Sequence, residues 1–212
     1  MLALVAQPMY TLVASQVANA VPVYSDGGVT ATVSNEADLK VALADTTVKK
    51  IVIGSDVTLT SSLVVARTVE INGGGHTITG PNLGGTWVNG GDNYVVKVWN
   101  ASDVVLHNFR VTGSNAGLLV TGSSSVELRG HIAVNGNVFG GIEVANGATL
   151  SLLRPGASLH NSTESHARPT IWTTNGGVFT ARPSLVAYTA SHIVDGQTQY
   201  YLDSTNVLAR QH

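Results

Sequence analysis

Cysteine is absent from the 212 residues, so disulfides and thiolate metal sites are excluded and no redox compartment is implied. Charge is scarce: Asp, Glu, Lys and Arg make up 11%, against about 25% in an ordinary domain. The formal net charge is −2, which gives no electrostatic reason to expect nucleic acid or an anionic membrane as a partner. No run approaches the roughly 20 apolar residues of a membrane span. Gly-x-Ser-x-Gly, Walker and His-Glu-x-x-His motifs are all missing, which removes the elbow hydrolases, P-loop proteins and zincins. What is abundant is Gly, Val, Thr, Ser and Asn. Val and Thr suit strands, while Gly and Asn suit sharp corners.

The stretch 102–147 reads as two lines laid over each other. Val104 falls on Val126, Leu106 on Leu128, Val111 on Val134, Gly113 on Gly136, Leu118 on Ile142 and Val120 on Val144. The offsets run from 22 to 24 residues. A period in this range marks a solenoid, in which each coil buries its apolar face against the next. Each line holds three short runs with apolar residues at i and i+2, the spacing of strands. The expected fold is therefore all-β, a parallel β-helix, with the aligned apolar residues and Ile132 pointing inward in about four coils.

Asn35 to Ala44 is the one convincing helix. Ser34 or Asn35 can cap it, acidic residues occupy its first turn, and Leu39 and Leu43 form an i, i+4 pair. At 34–44 it is placed to cover the N-terminal end of the stack. Strand runs follow at 50–53, 57–59, 63–65 and 69–71, then Asn72-Gly-Gly-Gly-His-Thr-Ile-Thr-Gly80. From the helix through this motif to about residue 162, the sequence resembles the pectin-lyase-like proteins. The resemblance implies a right-handed, single-stranded β-helix. That superfamily holds lyases, hydrolases, epimerases, adhesins and phage spikes, so the fold does not give the function.

The resemblance also says where chemistry would sit. Carboxylates in the enzymes are expected near Ala116–Val120 and Gly140–Val144, but no aspartate precedes Gly141-Ile142, and Glu143 lies within the strand. Lys97 and Leu119 occupy its matching outward positions. Glu70 and Glu127 share an outward column with Val105 between them, about 10 Å apart. That is the far limit for an inverting pair, and solvated charge is the plainer reading. Arg154 to His160 only faintly matches the Arg-x-Gly-x-x-His pattern of pectate lyases. His107 and His131 fall at similar points of successive coils near Arg129 and Arg110, without the further ligands a metal needs. No catalytic residue, metal or cofactor is expected.

Residues 81–93 are an insertion, and insertions in solenoids become loops on binding faces. Trp87 within it is a candidate contact for a sugar ring or a partner, or else a cover over the sheet. After Asn161 the period weakens, with one irregular coil through 170–172 and 178–180. Asp195-Gly196 then signals a hairpin between 191–194 and 198–202. Trp172, Tyr188, Tyr200 and Tyr201 make this aromatic segment, 163–212, either a cap or a contact patch.

Residues 1–28 form an apolar arm with no Lys or Arg. Leu4, Val5, Met9, Tyr10, Leu12 and Val13 are its candidate contacts. Ala18-Asn19-Ala20 resembles a cleavage site, yet the charged start of a secretory signal is missing and Gln7-Pro8 interrupts the apolar run. The organisation expected is an arm at 1–28, a β-helix at 29–162 and a terminal cap. Two functions fit. One is a non-enzymatic structural protein of an assembly, such as a virion capsid decoration or tail-associated protein, joined to other subunits through its ends. The other is a secreted carbohydrate-active protein, a polysaccharide lyase or a glycan-binding module.

Overall fold

Short apolar runs broken by Gly and Asn cannot cover their own inner faces, and here they do so by stacking. The computed structural model describes residues 21–88, 92–138, 140–161, 171–181, 186–188, 200–202 and 208–210; for Asn161, Trp172 and the last three segments it describes the backbone alone. The described chain is all-β apart from one α-helix, Glu36–Ala44, and one short 3-10 turn, Asp26–Gly28.

Three large sheets carry the structure. The first orders Val23–Ser25, Thr30–Val33, Lys50–Ile53, Glu70–Asn72, Val104–His107, Ser125–Arg129, Thr149–Leu152 and Val178–Ala181. The second contains Val57–Thr58, Thr77–Thr79, Arg110–Thr112, His131–Val134, Ser158–Asn161 and Val186–Tyr188. The third contains Leu63–Val65, Tyr94–Trp99, Ala116–Thr121, Gly140–Ala145 and Ile171–Thr174. Within each sheet the pairing is parallel, except that Val23–Ser25 runs antiparallel to Thr30–Val33. From Lys50 onward the chain visits the first, second and third sheet in turn, and each visit adds one strand beside the last.

The register is the one expected from the sequence. Val104 pairs with Val126, Leu106 with Leu128, Val111 with Val134, Leu118 with Ile142 and Val120 with Val144. All of these, with Ile132, are buried in one continuous core that runs from Ala31 to Ala181. Burial of each such side chain contributes about 1.5–3 kcal/mol. The third sheet has five strands, one more than the four coils expected.

Corners are tight because neighbouring turns nearly touch. A Cβ on Gly73 would overlap the Asn108 carbonyl, and one on Gly177 would overlap the Val144 carbonyl. Asn146-Gly147 and Asn175-Gly176 repeat the same left-handed corner, at φ 55° and 78° and then 47° and 78°.

The helix is capped at both ends by side chains. Asn35 Oδ1 accepts from Asp38 N at 2.9 Å, and Asp38 accepts in return from Asn35 Nδ2 at 2.9 Å. Leu39 and Ala42 enter the core and Leu43 packs against it. At the other end the Arg67 guanidinium donates to the carbonyls of Ala42, Leu43, Val48 and Thr68 at 2.7–3.1 Å. A cation there satisfies carbonyls that a helix end leaves unpaired.

Residues 23–25, within the arm expected at 1–28, pair with Thr30–Val33, because the Asp26–Gly28 turn lets the chain fold back onto the open edge of the first sheet. Tyr200–Leu202 pairs antiparallel with Leu208–Arg210, and the run 191–194 of the expected hairpin lies outside the described residues. Parallel pairing also continues past Asn161, into Ile171–Thr174, Val178–Ala181 and Val186–Tyr188. The arm residues Leu4, Val5, Met9, Tyr10, Leu12 and Val13 lie outside the described residues.

Candidate functional site

Each sheet turns one column of side chains outward, so three faces are open to chemistry. On the first sheet the outward column includes Lys50, Glu70, Val105, Glu127 and Ser151. Its two carboxylates are already engaged. Glu70 lies 3.1 Å from Lys50 Nζ. Glu127 binds Arg129 and also Arg154, the latter at 2.6 Å. The bond from Arg129, helped by Arg154, holds the Glu127 carboxyl below the usual carboxylate range. A general acid needs the opposite shift. This face reads as mutually neutralised surface charge. Arg154 and His160 do not meet, since Arg154 serves Glu127 while His160 lies in the second sheet.

His107 and His131 do not occupy matching points of successive coils. His107 pairs with Arg129 and Asn72 in the first sheet, whereas His131 opens a strand of the second sheet opposite Ser158. The corner at Gly130 falls between Arg129 and His131 and turns the chain from one sheet to the next. Among the described residues no three His, Asp or Glu side chains converge as a metal site would require.

The third sheet is different in kind. Its outward column runs Val64, Lys97, Leu119 and Glu143, and Trp172 is the backbone partner of Glu143 on the next strand. Beside it, Tyr94 aligns with Ala116 and then Gly140. Those small residues leave room for the Tyr94 ring to lie across two neighbouring strands, where it forms a second apolar cluster with Ala116, Leu119 and Ala145. Its hydroxyl donates to Glu143 Oε2, and Thr174 Oγ1 donates to Glu143 Oε1 at 3.2 Å. Burial first, and then the Glu143 carboxylate, push the Tyr94 phenol well above its ordinary range. Tyr94 is thus a neutral donor that orients Glu143, not a base or nucleophile.

Aromatic rings border this pair on both sides. Trp87, 47% exposed, meets Tyr94 edge-on with ring centroids 5.9 Å apart. Trp99, 50% exposed, lies under Lys97 Nζ, which is 5.5 Å from its ring centre. Trp87 leans on the sheet through Tyr94 and still offers a face to solvent. The side chains of Trp172, Tyr188, Tyr200 and Tyr201 lie outside the described residues.

The loop that presents Trp87 is tied down by buried asparagines. Asn93 accepts from Val88 N at 2.8 Å and donates to Val88 O at 2.6 Å. Asn115, one strand along, donates to Thr86 O at 2.6 Å and to Asn93 Oδ1 at 2.9 Å. Ser114 Oγ donates to the Asn93 carbonyl at 3.1 Å. Sequence reading missed Tyr94, Trp99, Asn93 and Asn115. A signal existed, because Lys97 sits midway in a strand that begins and ends with an aromatic residue. What was not visible was that Ala116 and Gly140 clear a path from Tyr94 to Glu143.

Residues 30–149 match the family model described as "Putative pectate lyase-like adhesive domain". No curated protein and no solved structure matches the chain.

Proposed function

The chain belongs to the pectate lyase-like adhesive domain family, and from that membership we propose that it is a non-catalytic adhesive module whose contact face is the outside of the third sheet. The supporting observation is the arrangement of exposed Trp87 and Trp99 around Lys97 and a Glu143 carboxylate held in place by Tyr94 and Thr174. Exposed indole faces stack on the C–H faces of sugar rings, and an oriented carboxylate accepts hydroxyl hydrogens. The ligand class proposed is a cell-surface or matrix polysaccharide, which implies an extracellular location.

Two finer points of architecture accompany this reading. The cyclic passage through three parallel sheets supports a right-handed single-stranded β-helix, since parallel crossovers are right-handed in about 98% of cases. The Glu36–Ala44 helix acts as its N-terminal lid, where an end coil would otherwise expose its cross-section. The aromatic C-terminal strands close the other end.

Absence of enzymatic action is proposed on chemistry. Polysaccharide lyases and glycosidases need carboxylates free to bind calcium or to exchange protons. Glu70 and Glu127 are neutralised by Lys50, Arg129 and Arg154. The expectation of a virion component gains nothing from the family assignment. Contact with another subunit keeps one supporting observation: Val21 and Val23, 67% and 70% exposed, present an apolar edge next to the first sheet.

The test is retention on immobilised polysaccharides by surface plasmon resonance, with melting curves as a control. Trp99→Ala and Glu143→Gln should lower retention at least about tenfold, the scale of one lost contact of 1.4 kcal/mol. Equal retention by both variants would remove the third sheet from the reading. In parallel, incubation with pectate or alginate and calcium should give no rise in unsaturated-product absorbance. A rise abolished by Glu70→Ala or Glu127→Ala would make the protein a lyase.

A further inference from the structure

The second sheet carries a polar groove of about 510 Å³ that none of the preceding chemistry uses. That volume lies within the range of small-ligand sites, roughly 300–1,000 Å³. Its outward column is Thr77, Arg110, Ala133 and His160. Ala133 is the short residue in this column, so Arg110 and His160 stand as walls about 9.6 Å apart over a low floor. His131 and Ser158 flank that floor, and His131 Nδ1 lies 2.8 Å from Ser158 Oγ, which leaves Nε2 for another partner.

The charge in the groove is of one sign. Arg110, His131 and His160 are all exposed, and no carboxylate lines the groove. Among the described residues none of the three has a carboxylate partner. The acid next along the column is Asp56, which aligns with Thr77 and is thus two strands from Arg110. Its carboxylate accepts from Thr77 N at 2.9 Å and lies 3.5 Å from His76. On the opposite side the strand Val186–Tyr188 adds one further titratable residue, Tyr188. Three nitrogen-bearing side chains lining one groove, with a serine hydroxyl among them, suit an anion with several acceptor oxygens.

We propose that this groove is a pH-sensitive binding site for a tetrahedral oxyanion, the sulfate or phosphate group of an esterified ligand, held by Arg110 with His131 and His160. Histidine is the side chain that changes charge between pH 5 and 8, so anion binding in a groove lined by two imidazoles and a guanidinium is expected to strengthen on acidification. The Arg110 fork supplies the pH-independent part of the affinity and the imidazoles supply the rest. The site lies on a different sheet from the aromatic face and stands independently of the adhesion reading.

Sulfate is the probe of choice because its own charge is constant from pH 5.5 to 7.5. Calorimetric titration of the full chain with sodium sulfate at fixed ionic strength should show saturable binding at pH 5.5, weakened about tenfold or more at pH 7.5. Arg110→Met should lose binding at both values. The double variant His131→Gln/His160→Gln should bind equally weakly at both. Because these side chains are exposed, melting curves should be unchanged, and Trp99→Ala should bind sulfate normally. In the unmodified protein, sulfate should shift the imidazole resonances of His131 and His160 but not those of His76. A sulfated oligosaccharide should compete, whereas its desulfated form should not. No saturable binding at pH 5.5, binding that survives both sets of variants, or equal competition by the desulfated sugar would each overturn the proposal.

Discussion

Tyr94 shows how much one side chain can carry in a fold with so little charge. Its ring covers Ala116 and Leu119 on the outside of the third sheet, and its hydroxyl orients Glu143. Tyr94→Phe removes a hydrogen bond to a charged acceptor, and at pH 8 it should destabilise by about 1.5–3 kcal/mol. The pH dependence follows from the raised phenol. The folded state keeps the Tyr94 proton where the unfolded chain gives it up, so its contribution is fully present below about pH 10. It is lost as pH rises further, by up to about 1.4 kcal/mol per unit. Urea unfolding at pH 8 and 11.5 should therefore show the gap between wild type and Tyr94→Phe shrinking. A constant gap would mean that the phenol is not protected in the folded state.

Elements here are held by side chains that replace missing backbone partners. Four carbonyls near the end of the Glu36–Ala44 helix depend on Arg67. Arg67→Met keeps the apolar stem but leaves those carbonyls with water or nothing. The expected loss is about 2–3 kcal/mol, measured as a lower urea midpoint at unchanged slope. The loop 81–93 depends in the same way on Asn115, which is fully buried and bonds both Thr86 O and Asn93 Oδ1. Asn115→Ala removes the Thr86 O donor and one of the two donors to Asn93 Oδ1, and loosens the loop that holds Trp87. Stability should fall by about 1–3 kcal/mol, and polysaccharide retention should fall with it toward that of Trp87→Ala. Retention that stayed at the wild-type value would show that the loop needs no such anchor, or that Trp87 contributes nothing to contact.

For the whole molecule, the parallel sheets must be closed at their ends, because each strand is stabilised by its neighbours and the terminal ones have only one. At the start, Val23–Ser25 covers the edge of Thr30–Val33 while leaving Val21 and Val23 exposed. Deleting 1–20 and deleting 1–28 should therefore differ. The shorter deletion should leave the melting temperature unchanged and reduce any self-association. The longer one uncovers the Thr30–Val33 edge and should lower the melting temperature by about 2–4 °C per kcal/mol lost, with new edge-to-edge aggregation. Light scattering during the melt separates the two. If the shorter deletion alone collapses the fold, the arm belongs to the core and is no docking element.

The period of 22–24 residues with apolar positions two apart was enough to determine strand register, core membership and the order of the sheets. Those follow from chain-local rules: alternation sets which face is buried, and a fixed repeat sets what stacks on what. The helix and its asparagine cap were equally local, since the cap bond spans only Asn35 to Asp38. The candidate face was legible only in fragments. Lys97, Leu119 and Glu143 could be placed in one column from sequence, but their chemistry depended on which neighbouring columns were empty. Only the tertiary structure decided that Ala116 and Gly140 clear the way for Tyr94, that Arg129 and Arg154 neutralise Glu127, and that the Gly130 corner sends His107 and His131 to different sheets. Such outcomes turn on side-chain length and on corner angles between residues some 20–50 positions apart, and a repeat pattern carries information about neither.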